Sequence, residues 1–340
     1  MHPTTRLCIA LCTSLAFAPS LWALPTHYHL TDLGPYSDVE QISPKGKVAG
    51  VNARHGRVEP AVWIHGKARN RTNPYRTGDA HGVNDAGVAV GEVGGTSFQH
   101  AVVWRGADEM LDLGHLIGTR HSAATAINSL DDCTVDAAFG REHDSYIIPG
   151  CASTRVVINI GSLGNIYTVT RAINDSKQVT GTSALGDGSL HAFLYSQGAM
   201  SDLGVLDGDS ASEGLGLNDL GHVVGDSSMD PTHGRGFFFD GRILRAIGAF
   251  GGTQSLAFCV NHDDVVVGMA TDAQQMFHAF VVDEARKDAK LHDLGTMLDG
   301  SGAGWTLTAA VGINDAGEII VWGFAPGDNA PRSALLSPAE

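Results

Sequence analysis

A carboxylate, a hydroxyl, an imidazole and a guanidinium share one repeated position of this chain. Glu40, His81, Thr125 and Arg171 each stand two residues before an Ile-like residue, namely Ile42, Val83, Ile127 and Ile173. The same position is apolar in three later copies, at Leu215, Phe258 and Val311. An acid, a base and a cation converging on one point would bind an anion or perform acid–base work. The plainer reading is solvated side chains or ion pairs between neighbouring copies. A second set, Arg120, His121, Arg141, Glu142 and His143, lies in connections around one irregular copy, and Trp305 in a long insertion offers a ring on which a sugar or an apolar side chain would stack. The plainer reading there is loop charges in water and a Trp packed on its own insertion.

Other polar groups point elsewhere. Asp207, Asp209 and Asp299 sit in Gly- and Ser-rich loops with the oxygen density that Ca²⁺ uses, yet neither loop has the twelve-residue ligand pattern, and no metal site is expected. His27 and His29 put two imidazoles on one strand face without a visible third ligand. The chain has no Gly-x-Ser-x-Gly elbow, His-Glu-x-x-His pair, phosphate loop or dinucleotide fingerprint, so no cofactor is expected. Cys133 and Cys151 fall in one irregular copy and form a candidate disulfide, with free thiols as the equal alternative; Cys259 occupies a column otherwise filled by Gly and Ala and reads as a small buried hydrophobe.

These residues are positioned by a repeat. The stretch 188–225 contains four period-2 runs of strand length, HAFLY, AMSDLG, SEGLGLN and HVVG, separated by Gly, Ser, Asn and Asp. Aligned on Ser43, Asn84, Asn128, Asn174, Asn218, Asn261 and Asn314, the copies number seven, spaced 41 to 53 residues apart. Four short strands in each such period predict an all-β, seven-bladed β-propeller of four-stranded blades. Small residues alternate before each Asn, as in Gly214 and Gly216, which places that segment innermost, where blades converge. Residues 27–34 then form an outer strand without inner partners, and the chain ends after a third strand near Ser337, so the N-terminal strand is expected to pair with the C-terminal one and close the ring. The tight Asn-Asp-x-Gly turns lie on one face. The long variable connections lie on the other, where a ligand is expected.

At the units HAFLY, GAMSDLG and LNDLGHVVG the chain resembles the HAF-repeat family of extracellular bacterial proteins, over essentially all of residues 29–336. The resemblance implies a secretion signal and a propeller-like repeat; it brings no catalytic residue. The third copy departs from it, with INSLDDCTVDAAF and HDSYIIPGCASTRVV in place of the usual turn and hairpin.

Composition bounds the rest. Residues 1–23 carry Arg6 and then an apolar run from Leu7 to Leu21, a Sec-type bacterial signal peptide, leaving 24–340 as a single propeller domain. A net charge of −15 without a basic stripe makes nucleic acid a poor partner; the densest basic stretch is Arg69, Arg71 and Arg76. No later segment is long enough to span a bilayer. The expectation is a secreted or periplasmic monomer, a binding or interaction module with an extracellular protein or glycan as its ligand. The alternative is an extracellular hydrolase or lyase acting on a polysaccharide or other polymer from a channel-mouth site.

Overall fold

The structure, a computed structural model, describes residues 24–35, 37–54, 57–75, 77–153, 156–230, 233–286 and 289–339. The signal peptide expected at 1–23, with Cys8 and Cys12, lies outside the described residues, as does Arg76. The fold is an all-β propeller. Each repeat runs as an antiparallel meander from its innermost strand outwards, for example Ala211–Leu217, Val223–Ser228, Gly234–Phe239 and Leu244–Ala246. The first strand, His27–Asp32, pairs along its whole length with the last, Arg332–Ala339, from His27↔Ala339 to Asp32↔Ala334, and completes a sheet with Ile319–Phe324 and Thr306–Ile313.

The expectation of seven separate four-stranded blades is corrected. Five four-stranded sheets stand alone, and the second and third repeats share one eight-stranded sheet. The join is a parallel pairing of His121, opening the inner strand His121–Ile127, with Gln99, opening Gln99–Arg105, reinforced by the Gln99 N–H donating to the Arg120 carbonyl at 2.9 Å.

The Asn turns hold the inner strands to one another. Each Asn side chain sends its amide N–H to the backbone carbonyl of the corresponding residue in the next repeat: Asn84 to Asn128 (3.2 Å), Asn128 to Asn174 (3.0 Å), Asn174 to Asn218 (2.9 Å), Asn218 to Asn261 (2.9 Å) and Asn261 to Asn314 (3.3 Å). Asn314 then reaches the carbonyls of Ser43 and Pro44 at 3.4 and 3.3 Å. Ser43, the one copy without the amide, gives its hydroxyl to Asp85 at 2.8 Å. Meanwhile each Asn Oδ1 accepts N–H groups of its own turn, two in five repeats, as Asn218 does from Leu220 and His222, and one, that of Glu318, at Asn314. The Asp beside it reaches backwards, since Asp85, Asp175, Asp219 and Asp315 accept backbone N–H groups of Lys45, Ser129, Asp175 and His262. The Asn-Asp pair is therefore both a turn former and a fastener between repeats. At the opposite end, Ser37, Ser122, Ser212 and Ser255 accept the N–H groups of Ser333, Ala101, Ala192 and Gly236 in the preceding repeat's third strand.

Every inner strand carries a β-bulge. The register slips between Val39/Gln41, Ala80/Gly82, Ala124/Ala126, Thr170/Ala172, Gly214/Gly216, Ala257/Cys259 and Ala310/Gly312. In five repeats the residue opposite is a Gly, in four of them that of a Val-x-Gly motif and in the other that of Ala89-Val90-Gly91. A Cβ on Gly50, Gly91, Gly181, Gly225 or Gly268 would stand about 2 Å from an inner-strand carbonyl oxygen, 1.8 Å in the case of Gly225 and Glu213. The glycines let the inner strand press close.

Two stability outcomes follow, both read from denaturant midpoints. Gly225→Ala is expected to cost about 2–3 kcal/mol, while Gly186→Ala, which meets open space, stays within about 0.5 kcal/mol of the parent. Asn218→Ala leaves the Leu220 and His222 N–H groups without their acceptor and takes one donor each from the Asn261 carbonyl and the Asp264 carboxylate, which keep the Asp264 N–H and the His222 ring, and is expected to cost about 2–3 kcal/mol.

Candidate functional site

The seven bulges fall on Glu40, His81, Thr125, Arg171, Leu215, Phe258 and Val311, the repeated position at which the sequence varies from charged to apolar. A bulge residue has no ladder partner and its side chain is re-aimed, which is why bulges recur beside functional sites.

Glu40 and His81 meet. The His81 Nδ1 lies 2.6 Å from a Glu40 carboxylate oxygen and its Nε2 lies 3.6 Å from Glu92. Asp79 is two residues from His81 on the same strand and directly opposite Glu92 across the ladder. Like charges facing each other across a ladder repel. Burial, and then the charges of Glu40, Glu92 and Asp38, raise the pKa of Asp79 to about 7, and its Oδ1 is buried without a hydrogen-bond partner. Burial opposes a charge on His81, but the hydrogen bonds to Glu40 and Glu92 outweigh it and lift its pKa to about 10. Burial alone would raise Glu92, yet the hydrogen bond from His81 holds it below the usual carboxylate range. Burial and Glu40 raise Asp38. Three carboxylates, Glu40, Asp79 and Glu92, thus face one imidazolium, with Asp38 beside Glu40 and Asp79, leaving an excess of negative charge.

Arg171 does not join them. It pairs with Glu213 of the following repeat at 2.8 and 3.0 Å, beside Asp136 and Tyr167. Asp136 is pushed up to about 6 by burial against the hydrogen bonds from Ser145 and Thr170, and Asp226, opposite Glu213 in the ladder, reaches about 6 through burial and the charges of Glu213 and Asp209. The expected convergence of Glu40, His81 and Arg171 is thereby corrected to two acidic groups, each with one cation. Acid–base work suits this electrostatics; an anion does not.

The connection residues are dispersed. Arg120 and His121 are exposed at the join of the eight-stranded sheet, and Arg141 and Glu142 are exposed at a hairpin tip. His143 stacks at 5.2 Å on Tyr167. Trp305 packs against the core formed by Tyr28, Leu294 and Leu307, which favours its plainer reading. The calcium candidates are otherwise engaged. Asp209 is paired with Arg235 at 2.8 Å, Arg235 also binds the Asp207 carbonyl, and Asp299 caps a short turn through Ser301 and meets His29 at 3.1 Å. Cys133 and Cys151 are both buried and stand as free thiols, close enough that burial and then the neighbouring Cys151 raise the pKa of Cys133. Cys259, mostly buried, packs against the core as expected.

Sequence reasoning missed Asp38, Asp79, Glu92, Asp136, Glu213 and Asp226. A signal was present: Asp38, Asp79 and Glu213 each stand two residues before a bulge position, while Glu92 and Asp226 each follow the second-strand Gly that faces the bulge, Gly91 and Gly225. On the turn face a separate cavity of about 150 Å³ is ringed by the Asn turns.

No family model and no curated protein matches the chain. Among solved structures, it is similar to the β-propeller domain of the trilobed protease from Pyrococcus furiosus, described as having an open velcro topology, with a TM-score of 0.54, 7% identity, and coverage of 93% of this chain and 95% of that one. TolB from Acinetobacter baumannii matches with a TM-score of 0.43 and 10% identity over 70% of this chain, which spans 60% of the TolB chain. The Aleuria aurantia lectin AAL matches with a TM-score of 0.40 and 9% identity, over 77% of this chain and 96% of that one. At these identities the likeness is one of fold. No helix among the described residues is long and apolar enough to cross a membrane.

The His81 arrangement sets a pH dependence. Unfolded, the imidazole holds its proton only below about 6.5; folded, it holds it to about 10. Its contribution is complete below 6.5 and is lost as pH rises through 10. Asp79, raised from 3.8 to about 7, lowers stability over that lower range as pH rises. Melting temperature is expected to fall from pH 7 to 10, with His81→Gln flattening that limb and Asp79→Asn flattening the limb below pH 7. An unchanged profile in His81→Gln removes the assignment.

Proposed function

We propose that the protein is an extracytoplasmic binding module, secreted or periplasmic and monomeric, whose ligand sits against the inner-strand bulges on the face of the long connections. In this reading the ring has seven repeats, the eight-stranded sheet counting as two blades, and the chain is a member of the HAF-repeat family. The observation that carries the functional reading is the excess of carboxylates at the two bulge residues Glu40 and His81: Glu40 itself and, on the adjoining ladder positions, Asp38, Asp79 and Glu92. Such a surface favours cationic or neutral polyhydroxylated ligands and repels anionic ones.

Titrating the purified protein with glucosamine oligomers, Lys- and Arg-rich peptides, neutral oligosaccharides and oligogalacturonates tests this. Binding of a cationic or neutral probe, weakened at least about tenfold by Glu40→Gln, is the expected result. Because Glu40 also partners His81, this change should lower the melting temperature somewhat, and binding is read well below the variant's own melting point. Binding of oligogalacturonates alone, or binding indifferent to Glu40, would overturn the reading.

One observation favours the second reading, a hydrolase or lyase of an extracellular polymer. Asp79, with a pKa of about 7, stands near the Glu40 carboxylate, and a carboxyl group that holds its proton close to neutral pH is suited to general acid–base chemistry. Release of reducing ends or unsaturated products from a bound oligosaccharide, lost in Asp79→Asn, would decide for it.

A further inference from the structure

In three sheets the first residue of the HAF motif pairs with the Asp of the Asp-Leu-Gly motif across the outer strands: His100 with Asp112 at 2.8 Å, His191 with Asp202 at 2.9 Å and His278 with Asp293 at 3.0 Å. Arg332 takes the same role with Asp32 in the closing sheet. These pairs are part of the fold. The second repeat adds something the others lack. After Asp112-Leu113 the chain forms a short helix, Gly114–Ile117, and its His115 turns back so that Nδ1 lies 2.8 Å from the same Asp112 oxygen that meets His100. The corresponding residues after Asp32, Asp202 and Asp293 are Pro35, Val205 and Thr296.

His115 sits at the surface, its ring meeting that of His100 edge-on at 5.0 Å. Its side chain is 76% exposed, whereas those of His100 and Asp112 are 13% and 20% exposed. The His100 ring is fixed by its surroundings: Phe98 meets it edge-on at 5.1 Å, and Gly114 leaves so little room that a Cβ there would lie 2.7 Å from the ring. The Asp112 carboxylate is fixed too, its other oxygen accepting the His115 backbone N–H at 3.1 Å. Two ligands are held in place and one swings in from solvent.

We propose that His100, Asp112 and His115 form a binding site for a borderline divalent transition ion of the Zn²⁺, Co²⁺ or Ni²⁺ class. The three donor atoms lie within 4.8 Å of one another. An ion about 2.0–2.2 Å from each would replace the two N–H···O contacts with N–metal–O bridges after a small rotation of the exposed His115. Two imidazoles and one carboxylate match this class of ion, in contrast to the all-oxygen sets that Ca²⁺ and Mg²⁺ prefer. Three protein ligands leave a coordination position open. Asp112 and His115 line a cavity of about 490 Å³ with Arg105, Leu116 and Ser153, so that position opens on a space large enough for water or a small anionic ligand.

The test uses the whole chain freed of metal with a chelator. Zn²⁺ is titrated calorimetrically and Co²⁺ by its visible absorption, in the parent, His115→Ala, Asp112→Asn and, as control, His191→Ala. The parent and His191→Ala should bind one equivalent that His115→Ala and Asp112→Asn lose or bind at least about tenfold more weakly, with the Co²⁺ band disappearing in the same two variants. His115→Ala should melt with the parent in the absence of metal, which separates loss of a ligand from loss of fold. The site is rejected by a parent that takes up neither ion, or by a His115→Ala protein with unchanged stoichiometry and affinity.

Discussion

A single carboxamide, repeated around the axis, does three things at once. The Asn that ends six of the seven inner strands satisfies N–H groups of its own turn, donates to the carbonyl of the next repeat, and so converts a local turn into a contact of long sequence separation. Because these side chains are almost fully buried, each lost bond would leave an unpaired polar group in a dry place, so the turns hold the repeats together cooperatively. The backward-reaching Asp carboxylates and the Ser hydroxyls at the other strand end double the stitching. Hydrophobic packing fills the space between; the register of one repeat against the next is a hydrogen-bonding matter.

That stitching draws the inner strands close, and the closeness is relieved by the bulge. Where the second strand offers a Gly, the inner-strand carbonyl approaches to a distance no side chain would permit. The extra residue leaves the ladder, and its side chain is released from the requirement to pack in the sheet. This is why one position runs from Glu through Arg to Phe with no change of fold around it. Structure and chemistry are separated within a single strand: the residues beside the bulge are small and buried, and the bulge residue is free to be a charge.

Much of this was legible from residues. The Asn column, the four period-2 runs and the orphan strand at 27–32 led to the propeller and to the pairing of first and last strands, because each is a local pattern with a local cause. Glu40 and His81 were singled out by their shared repeat position, and their side chains lie 2.6 Å apart. Arg171 was grouped with them because a ring of positions carries no information about which neighbours touch; Glu213, two residues before its own repeat's bulge, claims it. The bulges escaped because a period-2 reading has no signature for one inserted residue, even though the adjoining Gly of Val-x-Gly was in view. The joined sheet of the second and third repeats escaped for a similar reason. It depends on backbone groups of Gln99 and Arg120 that any residue type would supply.

The account rests on a ring that is closed as firmly at Asn314 and Ser43 as between any two consecutive repeats. Native-state hydrogen–deuterium exchange of the intact chain measures this directly, since the Ser43 and Asn314 amides are bonded within their turns as those of Asn174 and Asn218 are. Closure predicts that peptides spanning 39–48 and 310–319 are as protected as peptides spanning 170–179 and 214–223. Fast exchange confined to the first two, with slow exchange in the others, would mean that the chain's two ends lie open and that the Asn fasteners do not complete the circle.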